Sequence, residues 1–147
     1  RQHERHSAAR LRSHRFDGLM ASLNPFEQRV ADEVLPDLGG AGFIAKRPVA
    51  NAPWRFAERP VGDYSEPYWL RMRAMGMAPP GDMPWGEFAL RFTLSVPGVA
   101  SAIVGTGRLA HLLENVAWAS KGPLEPALVD AWRQRFRERD EDWRGQV

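Results

Sequence analysis

The chain has 147 residues, no cysteine, 44% hydrophobic and 26% charged residues, and a formal net charge of only +2 from 20 basic and 18 acidic side chains. That excludes disulfide frameworks, thiolate-bound zinc or iron–sulfur centres and cysteine nucleophiles within these residues, and the balance is globular rather than disordered. No apolar run approaches the ~20 residues of a membrane span, and the chain opens on Arg1 rather than Met, which predicts that polypeptide lies upstream.

Residues 1–15 hold five Arg and three His against Glu4 alone. Ser7 to Arg15 reads as a weak, basic helical lead-in. Without interleaved aromatics it makes a poor single-strand platform, so nucleic acid is not the expected partner. Leu19–Leu23 is a short apolar run without alternation, the pattern of a buried parallel strand. Asn24, Pro25 and Glu27 then read as N-cap, N1 and N3 of a helix with a capping box. That helix carries Val30, Val34, Leu35 and Leu38 and ends at Gly39-Gly40.

A second strand follows over Gly42–Lys46 and stops at Arg47-Pro48, because proline cannot donate to a ladder. Val49 to about Pro67 reads as a packed loop bearing Trp54, Phe56 and Tyr64, and Tyr68–Met75 as one or two helical turns. Breakers from Gly76 to Pro84 precede a helix over Trp85–Ser95. Ala100–Val104 is the third strand, running into Gly105-Thr106-Gly107. The next helix shows Leu109, Leu112, Leu113 and Val116 on one stripe, expected to face a core. The last helix begins near Pro123–Pro126 and shows Leu128, Val129, Trp132 and Phe136. Alternating strands and helices predict a parallel α/β layer. Three strands cannot close a barrel, so the pattern is that of part of an α/β domain. The six tryptophans are dispersed and read as packing.

Gly105-Thr106-Gly107-Arg108 joins a strand to a helix, where glycines let the backbone approach a ligand and free N–H groups attract anions. It is neither a Rossmann nor a Walker pattern, and two readings stand, an anion site or an ordinary turn. His111 and Asn115 are four apart and share a helix face with Glu114 near it. These three are either the wet side of the helix or a ligand contact. In a parallel sheet the C-terminal strand ends share one rim, which brings Lys46 and Arg47 towards Gly105. There they serve a phosphate-bearing ligand or pair with an acid. His3, His6 and His14 lack acidic partners at metal spacing. No nucleophile, metal site or catalytic base is assigned.

Three stretches taken together, GFIAKRPVANAPW (42–54), LRFTLSVPGVASAIV (90–104) and GTGRLAHLLENV (105–116), resemble the C-terminal half of the aldo/keto reductases. These are (β/α)8 barrels that bind NADPH or NADH without a Rossmann domain. Phe16–Asn24 resembles the sixth strand, and Asp142–Gln146 resembles the ending of some bacterial members. The resemblance implies an α/β fold that is a partial (β/α)8 TIM barrel, spanning 1–147, with about three parallel strands and flanking helices. It implies that Gly105, Thr106, Gly107 and Arg108 line the phosphate and ribose of NADP or NAD. It further implies that His111 meets a 2′-phosphate, that Glu114 and Asn115 meet the adenine end, and that Arg47, Pro48 and Val49 reach the pyrophosphate side. Lys46 stands where several members place an aromatic against the nicotinamide. Met20 stands where many place a glutamine, and Gly105 where some place a lysine.

In that family the Asp–Tyr–Lys–His catalytic group comes from the first four strands, which would precede Arg1. The expected function is therefore NAD(P)-dependent carbonyl reduction, represented here by its cofactor-binding half and located in the cytoplasm. The alternative is an inactive half-barrel that binds a dinucleotide or serves as an assembly module. The expected partners are the dinucleotide and either a missing N-terminal half or a second copy of the chain.

Overall fold

The computed structural model describes residues 17–146. The basic lead-in expected over 1–15, with its helix from Ser7 to Arg15, lies outside the described residues.

Three parallel strands form one sheet in sequence order: β1 (Gly18–Ser22), β2 (Gly42–Lys46) and β3 (Val99–Ile103). β1 and β3 start one residue before the predicted runs. The register pairs Met20 with Ile44 and Ile44 with Ser101, and Ala100 bulges out between Val99 and Ser101. At the N-terminal rim the Gly42 N–H donates to the carbonyl of Asp17 at 2.9 Å.

Among the described residues, five α-helices and two short 3₁₀ turns connect and flank the strands. The helices are α1 (Arg29–Glu33), α2 (Glu66–Met75), α3 (Trp85–Ser95), α4 (Leu109–Ser120) and α5 (Pro126–Arg139). The region after β1 corrects the sequence reading. Asn24 does not cap a helix. Its Oδ1 accepts the Phe26 N–H at 2.9 Å, and Asn24 and Glu27 exchange backbone bonds across a tight turn. Asn and Asp close such turns with their own side chains as readily as they cap helices. The helix starts only at Arg29, so no capping box forms and Glu27 is free for other work. α2, by contrast, is longer than the one or two turns expected, because Pro67 sits in its first turn and Gly76 ends it with φ 60°.

Among the described residues, helices cover one face of the sheet. Phe43 and Ala45 are buried there, with Leu19, Ala21, Val99 and Ala102 packed beside them. Onto this face pack Leu23, Val30 and Val34 and a cluster of rings from α3 and α5. Phe88 and Trp132 lie 4.5 Å apart centroid to centroid, and Trp54 stacks on Trp85 at 5.6 Å. The opposite face, carrying Met20, Ser101 and Ile103, is exposed. Among the described residues only its upper end is covered. There Ser22 is buried beneath segment 140–146, its hydroxyl donating to the Gln146 carbonyl at 3.2 Å.

α4 corrects a second expectation. Its predicted core stripe points outward, with Leu109 71%, Leu112 49%, Leu113 61% and Val116 57% exposed. Its opposite face, through Trp118, packs against Gly86 of α3 so closely that a Cβ on Gly86 would lie 2.8 Å from the indole.

Candidate functional site

The C-terminal rim of the sheet is built from two connections. The first leaves β2 in a tight coil. Arg47, Ala50, Asn51 and Ala52 all have positive φ, between 48° and 58°. Non-glycine residues enter this region at a cost of roughly 1–2 kcal/mol each. Local bonds hold the coil: the Ala50 N–H to the Arg47 carbonyl and the Ala52 N–H to the Val49 carbonyl, both at 2.8 Å. Buried Asn24 adds a third, its Nδ2 donating to the Arg47 carbonyl at 3.1 Å. The guanidinium of Arg47 donates to Ser22 Oγ at 2.8 Å, to the Gln146 carbonyl at 2.7 Å and to the Tyr64 hydroxyl.

The second connection, Val104–Arg108, leads from β3 into α4. Arg108 occupies the N-cap without a side-chain cap, so the first N–H groups of this twelve-residue helix keep their capacity for a ligand. Nothing lies within 4 Å of where a Cβ would sit on Gly105 or Gly107. The Arg108 N–H turns back to Thr106 Oγ1 at 3.2 Å.

Between the two connections lies an open cleft of about 600 Å³. From the β2 side it is lined by Arg47, Pro48 and Val49, and from the β3 side by Gly105 and Thr106. His111, Glu114 and Asn115 line it from α4. At 100° per residue these three, with Trp118, fall on one helix face, and the leucine stripe falls on the other. The polar trio therefore looks into the cleft and the apolar stripe into solvent, the reverse of an ordinary amphipathic helix. Three expected residues stay outside the cleft: Lys46, Gly107 and Arg108.

Sequence reasoning missed other lining residues, Asn51, Arg55, Asp63, Tyr64 and Trp118, whereas Trp54, expected to line one side of a pocket with Tyr68 and Trp69, does line the cleft and those two do not. Most of the missed residues come from the long loop after β2, which carries no motif. Arg55 and Asp63 pair at 3.6 Å across it. Asn51 Nδ2 is buried and has no hydrogen-bond partner, which makes it a donor awaiting an acceptor.

Beneath the rim is a buried polar cluster that the sequence did not signal. Tyr68, fully buried, donates its hydroxyl hydrogen to Glu27 Oε2. The Gln146 N–H donates to Glu27 Oε1 at 3.0 Å, and the Arg71 guanidinium stands 3.8 Å from the same carboxylate. Arg71 also donates to the carbonyls of Phe26, at 3.4 Å, and Arg144. Burial holds the Glu27 carboxyl above the ordinary glutamate range, against the opposing pull of its hydrogen bonds and of Arg71. Burial and the neighbouring Glu27 push the Tyr68 phenol up. The cluster thus ties β1's exit loop, α2 and segment 140–146 together under the cleft.

No protein-family model and no curated protein sequence matches the chain. Solved structures do match. One is the holo form of the aldo-keto reductase AKR11C1 from Bacillus halodurans, with a TM-score of 0.59 and 23% identity over 82% of this chain and 41% of that one. Its apo form gives a TM-score of 0.60 and 21% identity, over 82% and 42%. This chain spans about two fifths of the length of those structures. At such identity the likeness concerns fold: three parallel strands and their helices have the α/β arrangement of part of the barrel in those structures. Among the described residues no helix is long and apolar enough to cross a membrane.

Proposed function

We propose that the cleft binds NADP or NAD and that the chain is the cofactor-binding part of a carbonyl-reducing oxidoreductase of the aldo-keto reductase type, working in the cytoplasm. One observation carries this reading. Eight residues expected at the dinucleotide from the sequence, scattered between positions 47 and 115, converge on one cleft at the rim where parallel α/β sheets bind ligands.

The residues present fit such a group. The uncapped start of α4 offers backbone N–H groups to a phosphate, and the space over Gly105 lets the phosphate come close. The orphaned Asn51 amide supplies another donor. Arg47 adds positive charge, and its carbonyl, hydroxyl and phenol partners are neutral groups that an anion can displace. In this reading His111 meets a 2′-phosphate, and Glu114 and Asn115 meet the adenine end. Trp54 and Trp118 wall the cleft with apolar rings. When bound, the dinucleotide supplies a hydride to a carbonyl carbon. The proton for the carbonyl oxygen is assigned to no residue of this chain.

Titrating the purified chain into NADPH and NADH while following nicotinamide fluorescence tests the binding step. Saturable enhancement or quenching, weakened by Asn51→Leu, is expected. No change with either dinucleotide would refute the reading. A parallel assay of carbonyl reduction separates the roles: binding without turnover fits a cofactor-binding part, whereas turnover by the chain alone would place the proton donor within it.

A further inference from the structure

Both tryptophans lining the cleft are seated by the first turn of α3. Trp85, its first residue, stacks on Trp54 with ring planes 8° apart. Gly86, its second, receives Trp118 of α4. An added Cβ would lie 2.8 Å from Cζ3 and 2.9 Å from Cη2, the far edge of the indole. Glycine is a poor helix former, and Gly86 is not among the glycines with positive φ, so no turn requires it there. The space that it leaves is taken up by the ring. α4 is also pinned just beyond that ring. Lys121, its C-cap, donates to Oε2 of buried Glu87 at 2.7 Å. Arg91 donates to Glu87 Oε1 at 2.8 Å and to the Gly122 carbonyl at 3.0 Å.

We infer that Trp118 is the surface on which the adenine base of the dinucleotide stacks, and that Gly86 is a positioning residue that keeps the indole back against α3 so that the base has room. The inference rests on the reading of the cleft as a dinucleotide site. His111 and Trp118 share the cleft face of α4, and at 1.5 Å per residue they stand ~10 Å apart along the helix axis. That separation suits one nucleotide, with its phosphate near the start of α4 and its base one turn beyond Asn115. An indole offers a base its flat face, and Glu114 and Asn115 beside it offer hydrogen-bonding groups to the polar edge. The steric argument follows from the pinned end of the helix. With Lys121 and Arg91 holding that end, a side chain at position 86 is met by movement of the ring and not of the helix. The indole then leaves α3 and enters the cleft, where the base would lie.

The test is isothermal titration calorimetry of the 147-residue chain with NADPH, ADP and inorganic pyrophosphate. Gly86→Ala should weaken NADPH and ADP by ~10-fold or more, the scale of one lost base–aromatic stack, and leave pyrophosphate unchanged. Alanine is the better helix former, so the substitution does not threaten the fold, and circular dichroism checks this. Trp118→Leu should lose as much affinity for the same two ligands. A phenylalanine ring ends short of the two atoms that the new Cβ would strike, so Gly86→Ala combined with Trp118→Phe should recover most of the loss. A double variant no tighter than Gly86→Ala, or an equal loss for pyrophosphate, would overturn the inference in favour of a general disturbance of α4. Weakened NADPH with unchanged ADP would move the ring to the nicotinamide end and overturn the adenine assignment. Unchanged NADPH affinity in both single variants would overturn the inference and leave the dinucleotide reading standing. A parent chain that binds none of the three ligands would remove that reading, and this inference with it.

Discussion

Replacing Glu27 by alanine should destabilise the chain more than any surface change. The substitution removes the acceptor for the Tyr68 hydroxyl and for the Gln146 N–H, and leaves the buried Arg71 without its carboxylate at 3.8 Å. At an effective dielectric of ~20 the Coulomb attraction at that distance is ~4 kcal/mol. Removing Glu27 also returns its own desolvation cost, which offsets part of this. An orphaned buried hydroxyl costs about 1–3 kcal/mol. The net expectation is a loss of about 3 kcal/mol, read in urea by tryptophan fluorescence as a fall in midpoint of about 2 M for a slope near 1.5 kcal/mol/M. Glu27→Gln keeps acceptor capacity for Tyr68 and should cost about half as much. A loss below ~1 kcal/mol for alanine, or glutamine costing more than alanine, would refute the reading that Glu27 holds this buried cluster together. The pH dependence has a definite sign. Because burial raises Glu27 in the folded state, that state binds more protons than the unfolded one above about pH 4.5. The contribution of Glu27 is therefore greatest below that value and declines as pH rises through the raised pKa. Glu27→Gln should remove that decline.

Two further outcomes follow from other sites. Gly105→Val should fold like the parent, since nothing lies within 4 Å of its new Cβ, yet weaken NADPH binding by ~10-fold or more by filling the phosphate space. Fluorescence titration and a melting curve on the same sample check both halves. Asp32 accepts from Arg137, at 3.0 Å and 2.7 Å, and from Arg133, and these partners hold its carboxyl below the usual aspartate value of 3.8. Its stabilisation is present above that value and is lost as pH falls through the lowered folded pKa. Asp32→Asn should accordingly flatten the acid limb of a stability–pH profile measured by urea melts, and an unchanged limb would contradict the pairing.

The strands were legible because short apolar runs bounded by Gly and Pro have few other uses. Rim convergence was legible for the same reason: once β2 and β3 are parallel, Arg47 and Gly105 must end on one side. The α4 stripe was legible as a stripe but not as to what it faces. Periodicity records that an apolar surface exists, and the partner that covers it need not lie within the chain. Asn24 was misread because its side chain serves turns and caps alike, and what decided between them was a distant acceptor, the Arg47 carbonyl. The cluster of Glu27, Tyr68, Arg71 and Gln146 left no local trace at all. Its members lie up to 119 residues apart, and each alone has the appearance of an ordinary surface residue.

Segment 140–146 also sets an order of assembly. It is synthesised after everything it contacts, yet it supplies the carbonyls for Arg47 and Arg71, the N–H for Glu27 and, through Asp140, the carboxylate for Arg29 at 2.8 Å. Until it docks, a nascent chain can collapse its aromatic core but must keep four charged side chains hydrated around an open rim. Because Trp143 also packs on Phe136 at 5.6 Å, release of this segment would uncover both charge and an aromatic edge, and limited proteolysis at raised salt is expected to cut there early.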